Sequence, residues 1–204
     1  MNRGVALYTF KRFCDESPLE KEILECGAGV FEEEMEPLFG RFAQDGYRVH
    51  GIDIAEGRLA NARAYCKRHN VEADLRRADL LELPFEDACM PFVYAYDVVI
   101  HGRKTVMRQM VAEMIRVLQA GGLMFVNFLA LEDDRREKGQ EIGEGEYLEQ
   151  HGGHDVVHNY LQDTEAEAYF EGLELLFKEK RVTWKIKREV WRRQASLDYI
   201  LKKP

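Results

Sequence analysis

The sequence predicts an α/β chain built on a doubly wound parallel sheet, and three observations carry that prediction. The apolar pair Ile23-Leu24 runs into Glu25-Cys26 and a Gly27-Ala28-Gly29 turn. A second apolar run closes at Gly51-Ile52-Asp53-Ile54, with its acid 28 residues after Glu25. Around these two, strand-like and helix-like segments alternate as far as residue 129. Parallel strands that each end in a carboxylate form a pocket for a polyhydroxylated, partly cationic ligand at the switch point of the sheet.

The elements follow in order. Residues 4–16, with Val5, Leu7, Tyr8, Phe10 and Phe13, predict a short helix stopped near Ser17-Pro18. The first strand is 22–26. An acid-rich loop over 30–36 then enters a helix with Pro37 in its first turn, where a missing N–H is harmless. Gly46 stands where a C-terminal glycine cap belongs. The second strand is 47–53, the next helix Ala55–Arg68, and the third strand a short piece at 73–77 followed by Asp79. The fourth strand is Phe92–Tyr96. It is ended there because Asp97 inside a sheet covered on both faces would be a costly unpaired carboxylate. Val106, Met110, Met114, Val117 and Leu118 predict an amphipathic helix over 104–119, and Ala120-Gly121-Gly122 turns into a fifth strand, Leu123–Leu129. Residues 130–163 are polar, glycine-bearing and read as irregular, long enough to be a functional lid. A short helical piece at Ala166–Phe170 precedes an antiparallel hairpin, Leu173–Ile186 with Ser196–Lys202.

Composition narrows the function. At 204 residues the chain suits one domain over 1–204, with a probable substrate-covering insertion at about 131–163. A net charge of −8 disfavours nucleic-acid binding, which needs a positive footprint. No apolar stretch approaches a membrane span, and Met1-Asn2-Arg3-Gly4 does not lead into a secretory segment. Cys14, Cys26, Cys66 and Cys89 lie far apart, which fits reduced thiols in a cytoplasm.

Glu25, Asp53 and Asp79 fall at the ends of consecutive strands, where carboxylates accept from an ammonium, from ribose hydroxyls and from an exocyclic adenine amine. The Gly-Ala-Gly turn admits close backbone approach. A dinucleotide site wants a third glycine and a pyrophosphate at the helix start. Here Glu32-Glu33-Glu34 stand instead, which repels pyrophosphate and argues against NAD, although the same acids also simply favour the helix dipole.

Residues 22–130 resemble the core of a class I S-adenosylmethionine-dependent methyltransferase. The resemblance rests on ILECGAG, VHGIDIAEGRLANAR, ADLLELPFED, FVYAYDVVIH and RVLQAGGLMFVNFLAL in that order. It implies a seven-stranded Rossmann-like sheet of order 3-2-1-4-5-7-6 with the last strand antiparallel, and S-adenosyl-L-methionine as cofactor. By position it places Glu25 near the methionine amino group, with the backbone of Gly27, Ala28 and Gly29 around that moiety. Asp53 would hold the ribose hydroxyls and Ile54 would pack on adenine. Asp79 and the Leu80 N–H would meet the adenine edge, and Tyr96 would stand near the methyl group. Two departures are visible: the first acid is Glu25 rather than Asp, and Val30-Phe31 stand where a third glycine is usual.

The acceptor side is less defined. His101 follows the fourth strand, and His151, His154 and His158 lie in the lid. His101, His154 and His158 are the candidate catalytic residues, as proton acceptors or substrate contacts, His101 having the better position at the rim; each also reads as a packed or solvated histidine. No metal site is assigned, because the histidine spacing lacks a ligand context. Trp184, Lys185, Lys187, Arg188, Trp191, Arg192 and Arg193 form a basic, tryptophan-bearing strip on the hairpin. It reads as an RNA-stacking surface, a dimer contact or, as favoured here, a solvated edge that discourages strand addition. The expectation is a cytoplasmic enzyme methylating a small-molecule acceptor, with no nucleic acid, no membrane and an undetermined oligomeric state. An RNA or protein methyltransferase, and a catalytically silent cofactor-binding partner, stand as alternatives.

Overall fold

The inner parallel strands form where short apolar runs can be buried on both faces. The computed structural model describes residues 5–151, 153–187 and 190–204. Five strands run parallel: β1 (Glu22–Cys26), β2 (Arg48–Asp53), β3 (Asp74–Arg77), β4 (Met90–Ala95) and β5 (Leu118–Ala130). Every residue of β4 is buried, as expected of a central strand roofed by helices on both sides. Two long antiparallel strands, β9 (Glu174–Lys187) and β10 (Val190–Lys202), close the other edge, β10 pairing β5 from Ser196↔Leu129 to Lys202↔Leu123. The core order is therefore β3-β2-β1-β4-β5-β10-β9, with β10 antiparallel to β5. This is the expected 3-2-1-4-5-7-6 arrangement.

Helices fill the two layers by their spacing. Helix α1 (Val5–Glu16) turns Ala6, Phe10 and Cys14 inward, and the Phe10 ring meets Phe42, Tyr94 and Phe125 at centroid distances of 6.4, 6.0 and 5.9 Å. A fully buried ring of this kind contributes roughly 1.5–3 kcal/mol of transfer free energy. Short α2 (Phe39–Gln44) and α3 (Glu56–His69) share that face. On the opposite face α4 (Lys104–Val117) buries Met107, Val111, Met114 and Val117 against β4 and β5.

Three expected boundaries are corrected. Pro37 stands ahead of α2, which begins only at Phe39. The turn at Ala120–Gly122 lies inside β5, as a break between the pairs Met90↔Leu118 and Phe92↔Leu123, with Gly121 at φ +75°. The second hairpin strand starts at Val190 rather than Ser196, so a two-stranded arm projects past the end of β5.

The largest correction concerns 130–163. This segment is a regular antiparallel meander of β6 (Gln140–Gly143), β7 (Glu146–His151) and β8 (His154–Leu161), entered through a 3-10 turn at Asp134–Lys138. The end of β8 runs parallel to β5 through Leu129↔Tyr160 and Ala130↔Leu161, on the edge that β4 has vacated. The meander is thereby fixed directly above the rim of the sheet.

Below the rim, Arg116 of α4 fastens the loop after β3. It donates to the carbonyls of Phe85 (2.9 Å) and Leu83 (3.0 Å) and pairs with Glu113 and Asp87. The guanidinium holds the Glu113 carboxyl below its usual range, against burial and with help from the Leu83 N–H. A depressed carboxyl contributes stability above its unfolded pKa and loses it as pH falls through the folded value. Glu113→Gln should therefore lower urea stability at neutral pH, with the two curves converging as pH falls below the ordinary carboxylate range.

Candidate active site

The rim begins where β1 ends. Gly27 has φ +84°, and a side-chain carbon there would come within 2.2 Å of Val98 Cγ2, so the turn requires glycine. The N–H groups of Gly27 and Ala28 both reach the Ile52 carbonyl at 2.8 Å. Gly29 then donates to Asp53 Oδ2 at 3.1 Å, while Ala55 donates to Oδ1 at 2.8 Å. A Cβ on Gly29 would sit 2.5 Å from Arg58 and 2.7 Å from Asp53, so this approach also depends on its absence.

Asp53 is thus fixed at the end of β2, 8% exposed, with lone pairs left on both oxygens. Ile54, the next residue, is 62% exposed, a large apolar side chain turned to solvent beside a held carboxylate. Asp79 lies just past β3, exposed, its Oδ1 accepting from the Leu81 N–H at 2.9 Å, and Leu80 beneath it is buried. Glu25 sits deeper. It is 3% exposed, and its Oε2 accepts from the Tyr94 hydroxyl (2.5 Å) and the Phe39 N–H (2.9 Å), tying β1 to β4 and to the start of α2. The three acids end three adjacent strands, and only Glu25 is turned largely inward.

Past β4 the chain is held in an unusual conformation. Asp97 has φ +56°, rare for a residue with a Cβ, and lies exposed on the rim. Fully buried Asn127 of β5 secures it: the Asp97 N–H donates to Asn127 Oδ1 and Asn127 Nδ2 donates to Asp97 Oδ1, both at 2.7 Å. Backbone strain of this kind concentrates at functional positions. Tyr96, half-buried, stacks on Phe125 at 6.2 Å and accepts from Arg181 Nη2 at 3.3 Å; burial, then Asp97, pushes its phenol upward. Arg181 also reaches Asp198 at 3.4 Å. Asp198 is fully buried, and burial raises its pKa despite Arg181 and the adjacent Ser196 hydroxyl.

The meander brings two of the candidate histidines together. His101 and His158 form a bridge pair with ring centroids 4.8 Å apart. The Gly102 N–H donates to the Val157 carbonyl (2.8 Å) and the Asn159 N–H to the Ile100 carbonyl (3.1 Å), stitching the rim loop to β8. Behind them lies Glu149, 4% exposed, its Oε1 accepting from the Tyr160 hydroxyl at 2.8 Å and 3.1 Å from His158 Nδ1. His154 is apart from this group, exposed at the outer end of the β7–β8 hairpin and about 13 Å of strand from His158. The His151 side chain and Arg188 lie outside the described residues.

Glu149, Asn127, Arg181 and Asp198 carry no local sequence signal. Their partners lie across strands that only the fold aligns.

The stretch that builds this rim is similar in sequence to known proteins. A methyltransferase-domain family model fits residues 24–122, the stretch from β1 through the start of β5 that builds this rim. Residues 24–122 thus match a methyltransferase domain. A probable S-adenosylmethionine-dependent methyltransferase of Mycolicibacterium smegmatis is 34% identical over 107 residues, 52% of this chain and 37% of that protein. The chain spans less than half the length of the curated relatives it matches, 44% and 37%. Among solved structures, an S-adenosylmethionine-dependent methyltransferase from Clostridium acetobutylicum superposes with a TM-score of 0.73 at 11% identity, over 97% of this chain and 90% of that one. The magnesium protoporphyrin IX methyltransferase of Synechocystis, with bound S-adenosylhomocysteine, gives 0.64 at 15% identity over 97% and 83%. At such identities these two share the fold. Among the described residues, no helix is long and apolar enough to cross a membrane.

Proposed function

We propose that the protein methylates an oxygen or nitrogen of a small-molecule acceptor by in-line displacement. The observation that carries this reading is the Glu149–His158–His101 contact series, which meets the rim just past β4. When bound, S-adenosylmethionine supplies a methyl carbon already activated by its sulfonium, the C–S bonding pair leaving to sulfur.

The residues around that site fit the group. Asp53 has lone pairs to accept from ribose hydroxyls, and exposed Ile54 offers an apolar face for adenine. Asp79 and the Leu80 backbone would meet the adenine edge. The glycine turn would admit the methionine moiety above Glu25. Tyr96 would line the methyl position. Alignment and exclusion of water are then the main tasks of the chain.

A neutral hydroxyl or amine must shed a proton as its lone pair forms the new bond to carbon. The His101–His158 pair takes that proton, and Glu149, backed by Tyr160, orients His158 and balances the charge that develops. His154 has no part in this reading. The meander roofs the rim.

Incubation with methyl-labelled S-adenosylmethionine and a fractionated metabolite extract tests the reading. A labelled small product is expected. His101→Gln and His158→Gln should each lower kcat by about a hundredfold or more while S-adenosylhomocysteine affinity stays unchanged. Tight S-adenosylhomocysteine binding with no methylated product from any fraction would leave a silent binding protein; a labelled RNA or protein would replace the small acceptor.

A further inference from the structure

We infer that the acceptor carries an acidic group, a carboxylate or a phosphate, which docks in a basic groove between the 3-10 turn Asp134–Lys138 and the projecting β9–β10 arm. This rests on the methyl-transfer reading above. The groove encloses about 320 Å³ and is lined by Arg135, Lys138, Lys185, Arg192 and Arg193 against the single carboxylate of Asp134. That is a local reversal of sign on a chain whose net charge is −8.

Its positive charge is only partly answered. Arg192 pairs with Glu137 at 3.3 Å and Arg193 with Asp134 at 3.4 Å. The Nε of Arg193 is shielded from solvent yet has no hydrogen-bond partner. Lys138 and Lys185 are exposed and have no carboxylate partner among the described residues. Two ammonium groups therefore line the groove without a carboxylate partner, an arrangement that an anion completes.

The groove is held in place by Arg135. Its guanidinium grips fully buried Asp133 through two bonds of 2.9 and 2.8 Å, and Asp133 accepts the Ala195 N–H of β10 at 2.9 Å. Burial disfavours the Arg135 charge and Asp133 more than restores it, while Tyr160 and Asp97 of the rim also act on it. One end of an acceptor anchored here would lie beside the rim where its other end is methylated.

The volume is at the lower end for small-molecule sites, which suits one acidic group and a short body. Asp134 in the lining, with Glu137 paired to Arg192, would repel a polyanionic backbone.

Calorimetry on the full chain saturated with S-adenosylhomocysteine, titrated with phenyl phosphate, benzoate and benzyl alcohol, tests the inference. At least one anion should bind tenfold or more tighter than benzyl alcohol. Tighter phenyl phosphate points to a phosphate-bearing acceptor, and tighter benzoate to a carboxylate-bearing one. Lys138→Gln combined with Lys185→Gln should weaken anion binding at least fivefold and leave S-adenosylhomocysteine affinity unchanged, since both side chains are exposed and distant from Asp53. Anions that bind no better than the alcohol, or that bind the double variant as well as the wild type, overturn the inference. If S-adenosylhomocysteine itself does not bind the wild type, the methyl-transfer reading fails. The anion titration without it then decides the chemistry of the groove separately.

Discussion

Asp53→Ala should weaken S-adenosylhomocysteine binding by roughly two to four orders of magnitude. The carboxylate is held by the Gly29 and Ala55 N–H groups, one on each oxygen, so its remaining lone pairs point in fixed directions. Two charge-assisted hydrogen bonds to ribose hydroxyls, at about 1.5–3 kcal/mol each, set that range. The same deletion strands two backbone donors, and the Gly29 N–H is part-buried, so a stability loss of about 1–3 kcal/mol is also expected. Binding and folding are therefore measured together, by calorimetry and by urea denaturation on the same preparation. Asp53→Asn keeps one acceptor oxygen and should fall between the two. Unchanged affinity in a folded Asp53→Ala protein would mean that the cofactor binds elsewhere.

The sheet was legible in the sequence because its strands are buried on both faces. Such strands need continuous apolar runs, and the chain reversals between them need glycine, so ILECGAG and VHGID mark their own ends. Asp97 was readable on the rim for an energetic reason, since a central strand cannot accommodate its charge. Its positive φ was not, because the cause is Asn127, 30 residues later, on a strand that is otherwise apolar.

The meander was missed for the opposite reason. Residues 140–151 have one solvated face and few apolar side chains, so strict alternation is weak there. The available signal was turn chemistry: Glu144-Gly145 before β7, and the sequence dipeptide Gly152-Gly153 between His151 and His154, which are paired. With the hairpin drawn, His158 falls beside the rim and His154 at the far end, and the three histidines are no longer equivalent. Glu149 follows from the same register, since it shares a face with Tyr147 and His158. The grip of Arg135 on Asp133 and the groove beyond it depend on how the arm of β9 and β10 leaves the sheet, which no local pattern encodes.

Gly27→Ala is the second substitution with a large expected effect, and it separates two costs. The left-handed backbone at φ +84° should cost a residue with a Cβ about 1–2 kcal/mol. The added carbon, 2.2 Å from Val98 Cγ2, should cost about 1–3 kcal/mol more through displaced packing. The displacement bears on function because Val98 follows Asp97 on the rim, while the Gly27 N–H holds the Ile52 carbonyl one residue before Asp53. Cofactor affinity should therefore fall together with stability. Val98→Ala removes the clashing methyl groups, so in the Gly27→Ala background it should restore the packing part and leave the dihedral part. A double-mutant cycle in urea reads the coupling directly, and about 1 kcal/mol or more of recovery is expected. Strict additivity of the two substitutions would show that the β1 turn and the rim after β4 are not in contact, and the description of the pocket floor given above would then be wrong.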